Sequence, residues 1–233
     1  MKPLIAITGA SSGIGEATAK LFSEAGYPLL LMARRLERMT AHCLPDAICK
    51  KVDVTKVDQI HMAIKEAEAK YGPVDCMINN AGVGHLGESW NQDLLEWEDM
   101  ISVNVNGVLN GIHEVLPAMV ERRHGTIINI SSLAGRKSYG LHAVYCGTKY
   151  AVHAITETIH EEVAKFHVRV LVIAPATAAT EVITHTTSKK IQEDWWKAFE
   201  KPLDPMDVAR TIKFAYEQPQ EVSIREIVVT PTY

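Results

Sequence analysis

Seven short apolar runs punctuate the chain: Leu4 to Thr8, Pro28 to Met32, Ile48 to Val52, Cys76 to Asn79, Thr126 to Ile130, Val168 to Ile173 and Glu226 to Val229. Longer amphipathic stretches separate them, so the runs read as strands and the stretches as helices. Repeated strand–helix–strand alternation needs crossover connections, which predicts a mostly parallel sheet with helices on both faces. The expected strand order is 3-2-1-4-5-6-7. No Pro/Gly/Ser-rich linker and no internal repeat breaks the pattern, and a chain of 233 residues fits one α/β unit, so residues 1–233 are expected to form one domain. The least regular stretch, 176–204, follows the sixth run and carries Trp195, Trp196 and Phe199. Long connections of this kind often serve as lids or binding loops, which is the expectation here. The alternative is a surface helix that buries Ile191, Trp195 and Phe199 at i, i+4 and i+8.

Composition narrows the function classes. The net charge of −4 argues against a general attraction to nucleic acid, so any anion must be bound by a local site. No apolar run approaches the roughly 18 residues of a membrane span, and no membrane partner is expected. The start Met1 to Ile7 enters an apolar run without the features of a secretory leader, giving a cytoplasmic expectation. Cys43, Cys49, Cys76 and Cys146 lack paired spacing and read as free, buried thiols. Ten histidines show neither H-x-x-x-H nor H-E-x-x-H spacing, so no metal site is expected.

The first apolar run leads into Thr8-Gly9-Ala10-Ser11-Ser12-Gly13-Ile14-Gly15 and then a helix through about Ala25. Gly9 permits a tight turn, Gly13 a close backbone approach to pyrophosphate, and Gly15 close helix–strand packing. The helix start supplies unpaired N–H groups and a positive dipole. A dinucleotide site of Rossmann type is the consequence. The second run ends in Ala33-Arg34-Arg35, with no carboxylate to accept from an adenosine ribose and two guanidinium groups suited to a 2′-phosphate. NADP is therefore favoured over NAD. The alternative is that Arg34 and Arg35 begin a solvated helix with Glu37 and Arg38.

Tyr145 and Lys149 stand at i and i+4, on one face of a helix expected from about Tyr145 to Lys165. A free phenol titrates near 10, and an adjacent ammonium is expected to lower that value and poise the group for proton transfer. Ser132 ends the fifth run and precedes Tyr145 by thirteen positions. Asn104 lies in Val103-Asn104-Val105-Asn106-Gly107, and Asn79-Asn80-Ala81-Gly82 follows the fourth run.

These motifs, in this order at strand ends, resemble the short-chain dehydrogenase/reductase family from Ile5 to Thr230. The resemblance implies a catalytic group of Asn104, Ser132, Tyr145 and Lys149, with Ser132 preferred over Ser131. Tyr145 would pass the proton, Ser132 orient the reacting oxygen, Lys149 also bind the nicotinamide ribose, and Asn104 hold a water. It further implies cofactor contacts from Gly9, Ser11, Ser12, Gly13, Ile14 and Gly15, from Asp53 and Val54 at the adenine, and from Asn80, Ala81 and Gly82. Arg34 would be the main phosphate ligand, with Ser11 and Arg35 assisting. Pro175-Ala176-Thr177-Ala178-Ala179-Thr180 corresponds to the family's P-G-x-x-x-T segment, in which Pro175 and Thr180 meet the cofactor. Ala176 replaces a glycine there, which is awkward if the backbone needs a positive φ.

The implied activity is hydride transfer between NADP(H) and a carbonyl or secondary alcohol of a small molecule. Substrate-pocket candidates are His85, Leu133, His142 and Trp195, with Gly84, Leu86, Ala134 and Leu141 nearby. Leu133-Ala134-Gly135-Arg136 and the ending Glu226 to Thr232 are similar to the NADP-dependent 3-hydroxy-acid and serine dehydrogenase branch. Arg136, Lys137 and His142 would suit an acidic substrate, with a structural or interface role for Arg136 as the equal alternative, since the branch often has Arg there. The helices expected from about Glu98 to Arg122 and Tyr145 to Lys165 correspond to those that build family dimers and tetramers, so a homo-oligomer is expected. The alternatives are an NAD-dependent member of the same family and a non-catalytic dinucleotide-binding regulator, which would lack the acid–base residues.

Overall fold

The computed structural model describes residues 2–198 and 201–232. The seven apolar runs become strands β1 (Leu4–Thr8), β2 (Leu29–Ala33), β3 (Ala47–Lys51), β4 (Val74–Asn79), β5 (Gly125–Ile130), β6 (Val168–Pro175) and β7 (Glu226–Val229). They pair in parallel in the order β3-β2-β1-β4-β5-β6-β7, as the alternation predicts. The helices are α1 (Gly13–Glu24), α2 (Leu36–Thr40), α3 (Val57–Tyr71), α4 (Leu94–Ile101), α5 (Gly107–Arg122), α6 (Ala143–Val163), α7 (Lys189–Ala198) and α8 (Pro205–Tyr216).

Because successive strand residues point to opposite faces, β1 feeds two cores at once. Leu4 and Ala6 pack with Ile60 and Ile64 of α3, Ile112 of α5 and Val152 of α6. Ile5 and Ile7 pack with Phe22 of α1 and with Val208 and Ile212 of α8. The strand order reverses at β1, whose neighbours are β2 and β4. A crevice outside the carboxyl ends of the strands opens at such a point, and the site lies there.

A buried polar ladder fixes α6 against the sheet. Asn79 donates to Asn129 at 2.8 Å, and Asn129 donates to Thr156 at 2.9 Å. Buried amides cost free energy when unpaired, so the three residues hold a single register of β4, β5 and α6.

The helix expected from about Glu98 to Arg122 is two helices. It starts earlier, at Leu94, where the Asp93 carboxylate caps it by accepting from the Leu95 N–H at 2.9 Å. A wider π turn at Ser102–Asn106 then separates α4 from α5 and carries Asn104. The stretch 176–204 is not a bare loop. It holds a short helical turn at Glu181–His185 and α7, and it closes at its base, where Ala179 N–H donates to Leu203 O and Leu203 N–H donates to Thr177 O, both at 2.9 Å. No residue of α7 is fully buried: Ile191 and Trp195 are half-buried, and Phe199 lies outside the described residues.

The expectation of buried thiols holds for Cys76 and Cys146. Cys49, on edge strand β3, is half-covered, and Cys43, in the turn after α2, is exposed. Among the described residues no helix is long and apolar enough to cross a membrane.

Candidate active site

A cavity of about 1120 Å³ opens at the strand carboxyl ends. One end is walled by the glycine turn. Gly9 and Gly13 adopt φ of +66° and +56°, the left-handed region that glycine enters without strain. At Gly15 the constraint is space: a Cβ would stand 2.3 Å from the Gly9 carbonyl oxygen and 2.5 Å from Asn80 Nδ2. The turn is held from behind by Asn80, whose Nδ2 donates to Thr8 O at 2.9 Å, while Asn80 and Ala81 N–H groups donate to Thr8 Oγ1 at 3.0 and 3.1 Å. The N-N-A-G run thus locks the first turn to β4. Backbone N–H groups at a helix start, on a turn whose glycines carry no side chains, fit a pyrophosphate.

At the end of β2, Arg35 Nη2 donates to Ser12 Oγ at 2.9 Å and Ser11 Oγ at 3.3 Å. Arg34 is exposed and makes no hydrogen bond or ion pair among the described residues. Asp53 and Val54 line the same end of the cavity. Asp53 Oδ1 also accepts from Thr55 N–H at 3.0 Å and Thr55 Oγ1 at 2.9 Å, so one carboxylate oxygen is committed to the turn.

The other end gathers Ser132, Tyr145 and Lys149. The two serines after β5 diverge. Both line the cavity, but Ser131 Oγ is buried and donates to Lys149 O at 3.1 Å, whereas Ser132 Oγ accepts from Ala134 N–H at 3.1 Å and lies close enough to the Tyr145 phenol to pull its pKa down. Lys149 Nζ is buried and donates to Ile130 O at 3.0 Å, 5.8 Å from the Tyr145 ring centre. The sequence-based expectation was a phenol lowered by its lysine. In the protein alone burial dominates instead: it pushes Tyr145 up to about 12, against the pull of Ser132, and Lys149 down to about 8. Asn104 stands behind this wall, where Oδ1 accepts from Val83 N–H at 2.8 Å and Nδ2 donates to Val83 O at 2.9 Å and Thr148 Oγ1 at 3.2 Å. It ties the π turn to the loop after β4 and to α6 in one step.

The short chain dehydrogenase family model matches residues 3–191. This chain belongs to that family. An uncharacterized oxidoreductase of Staphylococcus saprophyticus is 40% identical, covering 98% of this chain and 96% of that protein. The structure of the closed form of serine dehydrogenase complexed with NADP+ superposes with a TM-score of 0.90 at 28% identity, covering 97% of this chain and 94% of that one. Serine dehydrogenase from Escherichia coli gives 0.84 at 26% identity, covering 97% and 96%. The chain is thus a short-chain dehydrogenase, an oxidoreductase fold built to bind a nicotinamide dinucleotide.

Of the residues singled out in the sequence of this short-chain dehydrogenase, most line the cavity: Gly9 and Ser11 to Ile14, Arg34 and Arg35, Asp53 and Val54, Asn80 to Gly82, Ser132 and Leu133, His142, Tyr145, Lys149, Pro175, Thr180 and Trp195. Gly15 and Asn104 lie behind its wall, as packing and positioning groups. His85 also lies off the wall. Its Nε2 is 2.8 Å from Asp99 Oδ2 and its Nδ1 is 2.8 Å from His185 O, so it clasps the 176–204 segment to α4. Ala176 needs no positive φ, and its substitution for glycine leaves the backbone unstrained.

His142 is buried enough to lower its pKa, and its Nδ1 lies 2.6 Å from Gly140 O. A carbonyl only accepts, so Nδ1 carries a proton in either charge state, and burial, the larger effect, is what favours the neutral ring. Arg136 is engaged in an ion pair with Glu226. Of Arg136, Lys137 and His142 only His142 lines the cavity, and the Arg136–Glu226 pair fits a structural role for Arg136. Sequence reading missed Val182 and Glu181 on the cavity wall, and Arg38, which pairs with Glu181. A lone carboxylate directly after Thr180, in a chain with three arginines after β2, was the available signal.

Proposed function

We propose that this short-chain dehydrogenase transfers a hydride between NADP(H) and a carbonyl or secondary alcohol, with Tyr145 as general acid/base. The observation that carries the reading is the meeting of Tyr145, Ser132 and Lys149 on one wall of a cavity whose far end is the glycine turn. The dinucleotide, when bound, supplies or takes up the hydride. Ser132 orients the substrate oxygen toward the phenol. Tyr145, kept protonated by burial, donates to that oxygen in the reductive direction. In the oxidative direction it must release its proton first, which the Lys149 ammonium and an oxidised nicotinamide favour.

The NADP preference rests on the run Ala33-Arg34-Arg35 after β2, where no carboxylate stands to repel a 2′-phosphate. Val182 and His142 lie next to Tyr145, and Leu86, Leu133 and Trp195 add apolar wall to the cavity, which suits a carbonyl compound with an apolar portion. A homo-oligomer forms through α4, α5 and α6, whose Ile101, Leu109 and Tyr150 are 46%, 40% and 43% exposed. Light scattering that returns a monomer overturns the assembly.

The deciding experiment is Tyr145→Phe, assayed by NADPH oxidation across ketones, aldehydes and 3-oxo acids. Turnover should fall by roughly 10²–10⁴-fold while NADPH still binds. Unchanged turnover overturns the role.

A further inference from the structure

The carboxylate of Glu181 occupies the guanidinium groups that face the phosphate turn. Its Oε2 lies 2.7 Å from Arg35 Nη1 and its Oε1 lies 2.7 Å from Arg38 Nη1. The same Arg35 donates through Nη2 to Ser12 and Ser11 at the start of α1. One residue earlier, Thr180 lies so close over the turn that a Cβ on Gly13 would stand 2.9 Å from its Cγ2. The segment that leaves β6 is therefore fastened across the cofactor end of the cavity by an anion. Carboxylate and phosphate use guanidinium donors in the same paired manner.

We propose that Glu181 is an internal anion that, together with Arg38, withholds Arg35 from the cofactor's 2′-phosphate beside Arg34, and that the arriving phosphate displaces it and frees residues 181–187 at that end. This rests on the NADP(H) reading above. Arg38 and Arg35 keep the Glu181 carboxyl down near 2, so it is charged at every working pH. Its side chain is 41% exposed, and solvent-exposed ion pairs are individually weak, so a dianion can replace it.

The far end of the segment stays tied. His185 O meets His85 Nδ1 at 2.8 Å, Leu86 N–H donates to Thr186 Oγ1 at 2.9 Å, and Thr187 hydrogen-bonds Glu96. Between the two ties sits Val182. A Cβ on Gly84 would lie 3.0 Å from Val182 Cγ2 and 3.4 Å from Tyr145 Cε2, which places the valine beside the reacting phenol. Release at Glu181 thus loosens the wall next to Tyr145, and a cofactor lacking the 2′-phosphate leaves that wall fastened.

The test uses adenosine 2′,5′-bisphosphate and adenosine 5′-monophosphate as probes on the full chain and on E181Q and E181A. An internal competitor lowers apparent affinity by the fraction of open sites, so both variants should bind the bisphosphate about tenfold more tightly by calorimetry, with the monophosphate unchanged. In the wild type the bisphosphate should speed thermolysin cleavage before Val182 and Ile183, and the variants should be cleaved fast without it. Equal bisphosphate affinity in all three proteins, or cleavage indifferent to Glu181, overturns the latch alone. A wild type that binds neither probe overturns the cofactor reading together with it.

Discussion

Lys149 Nζ turns to the carbonyl of Ile130 at 3.0 Å rather than to the phenol four residues before it. Both groups are buried, and with the protein alone each is biased toward its neutral form. The pH dependence of stability follows. Lys149 titrates near 8 when folded and near 10.5 when unfolded, so between those values the unfolded chain binds more protons and stability rises with pH. Tyr145 acts with the opposite sign above about 10, because the folded protein keeps its proton longer. Burial also raises Cys76, Tyr27 and Tyr216, which likewise cost stability at high pH. The difference between wild type and Lys149→Met isolates the lysine. Urea denaturation at pH 7.5 and 9.5 should show wild type gaining on the order of 2 kcal/mol relative to the variant. A constant difference refutes the assignment.

Ser131 and Ser132 should separate cleanly by mutation. Ser131→Ala removes a buried hydrogen bond to the α6 backbone and should cost about 1 kcal/mol of stability with turnover largely kept. Ser132→Ala should leave stability near wild type and lower turnover at least tenfold, as loss of a group orienting the reacting oxygen does. Thermal melts and steady-state rates on the two variants decide it, and a reversed pattern assigns the role to Ser131.

Gly15→Ala tests the packing of the phosphate turn. Its methyl would press on the Gly9 carbonyl, in the turn directly after β1 that Asn80 holds to β4. Overpacking of this kind costs roughly 1–3 kcal/mol, and it should also abolish adenosine 5′-monophosphate binding by shifting the turn. Normal binding in a stable variant would show that the turn has room.

His85→Ala should act on the segment rather than on the chemistry. With both ring contacts gone, residues 185–198 should become more sensitive to trypsin, and KM should rise several-fold with kcat less affected. Loss of kcat with KM unchanged would instead place His85 at the reacting atoms.

The sheet was legible because β-strands buried on both faces are continuous apolar runs, and the crossover rule then orders them. The glycine turn and the Tyr145–Lys149 pair were legible because their chemistry is local in sequence. What was hidden depends on distant partners. Asp99 and His185 O determine where His85 points, and Glu181 determines what Arg35 and Arg38 hold. The π turn at Asn104 was hidden for another reason: Ile101 to Val108 keeps a helical pattern, and only the wider turn shows that the helix was reset. The upward push on Tyr145 in the protein alone was hidden too, because the burial that causes it is built by residues distant in sequence.

The excursion between Ala178 and Leu203 starts and ends at one closed base, just outside the sheet and before α8. The groups expected to move protons stand instead on β5 and α6. On the proposed reading, one part of the pocket wall and the acid–base groups therefore lie on separate stretches of chain. Exchanging residues 180–202 with those of another family member should transplant preference while leaving the acid–base apparatus intact.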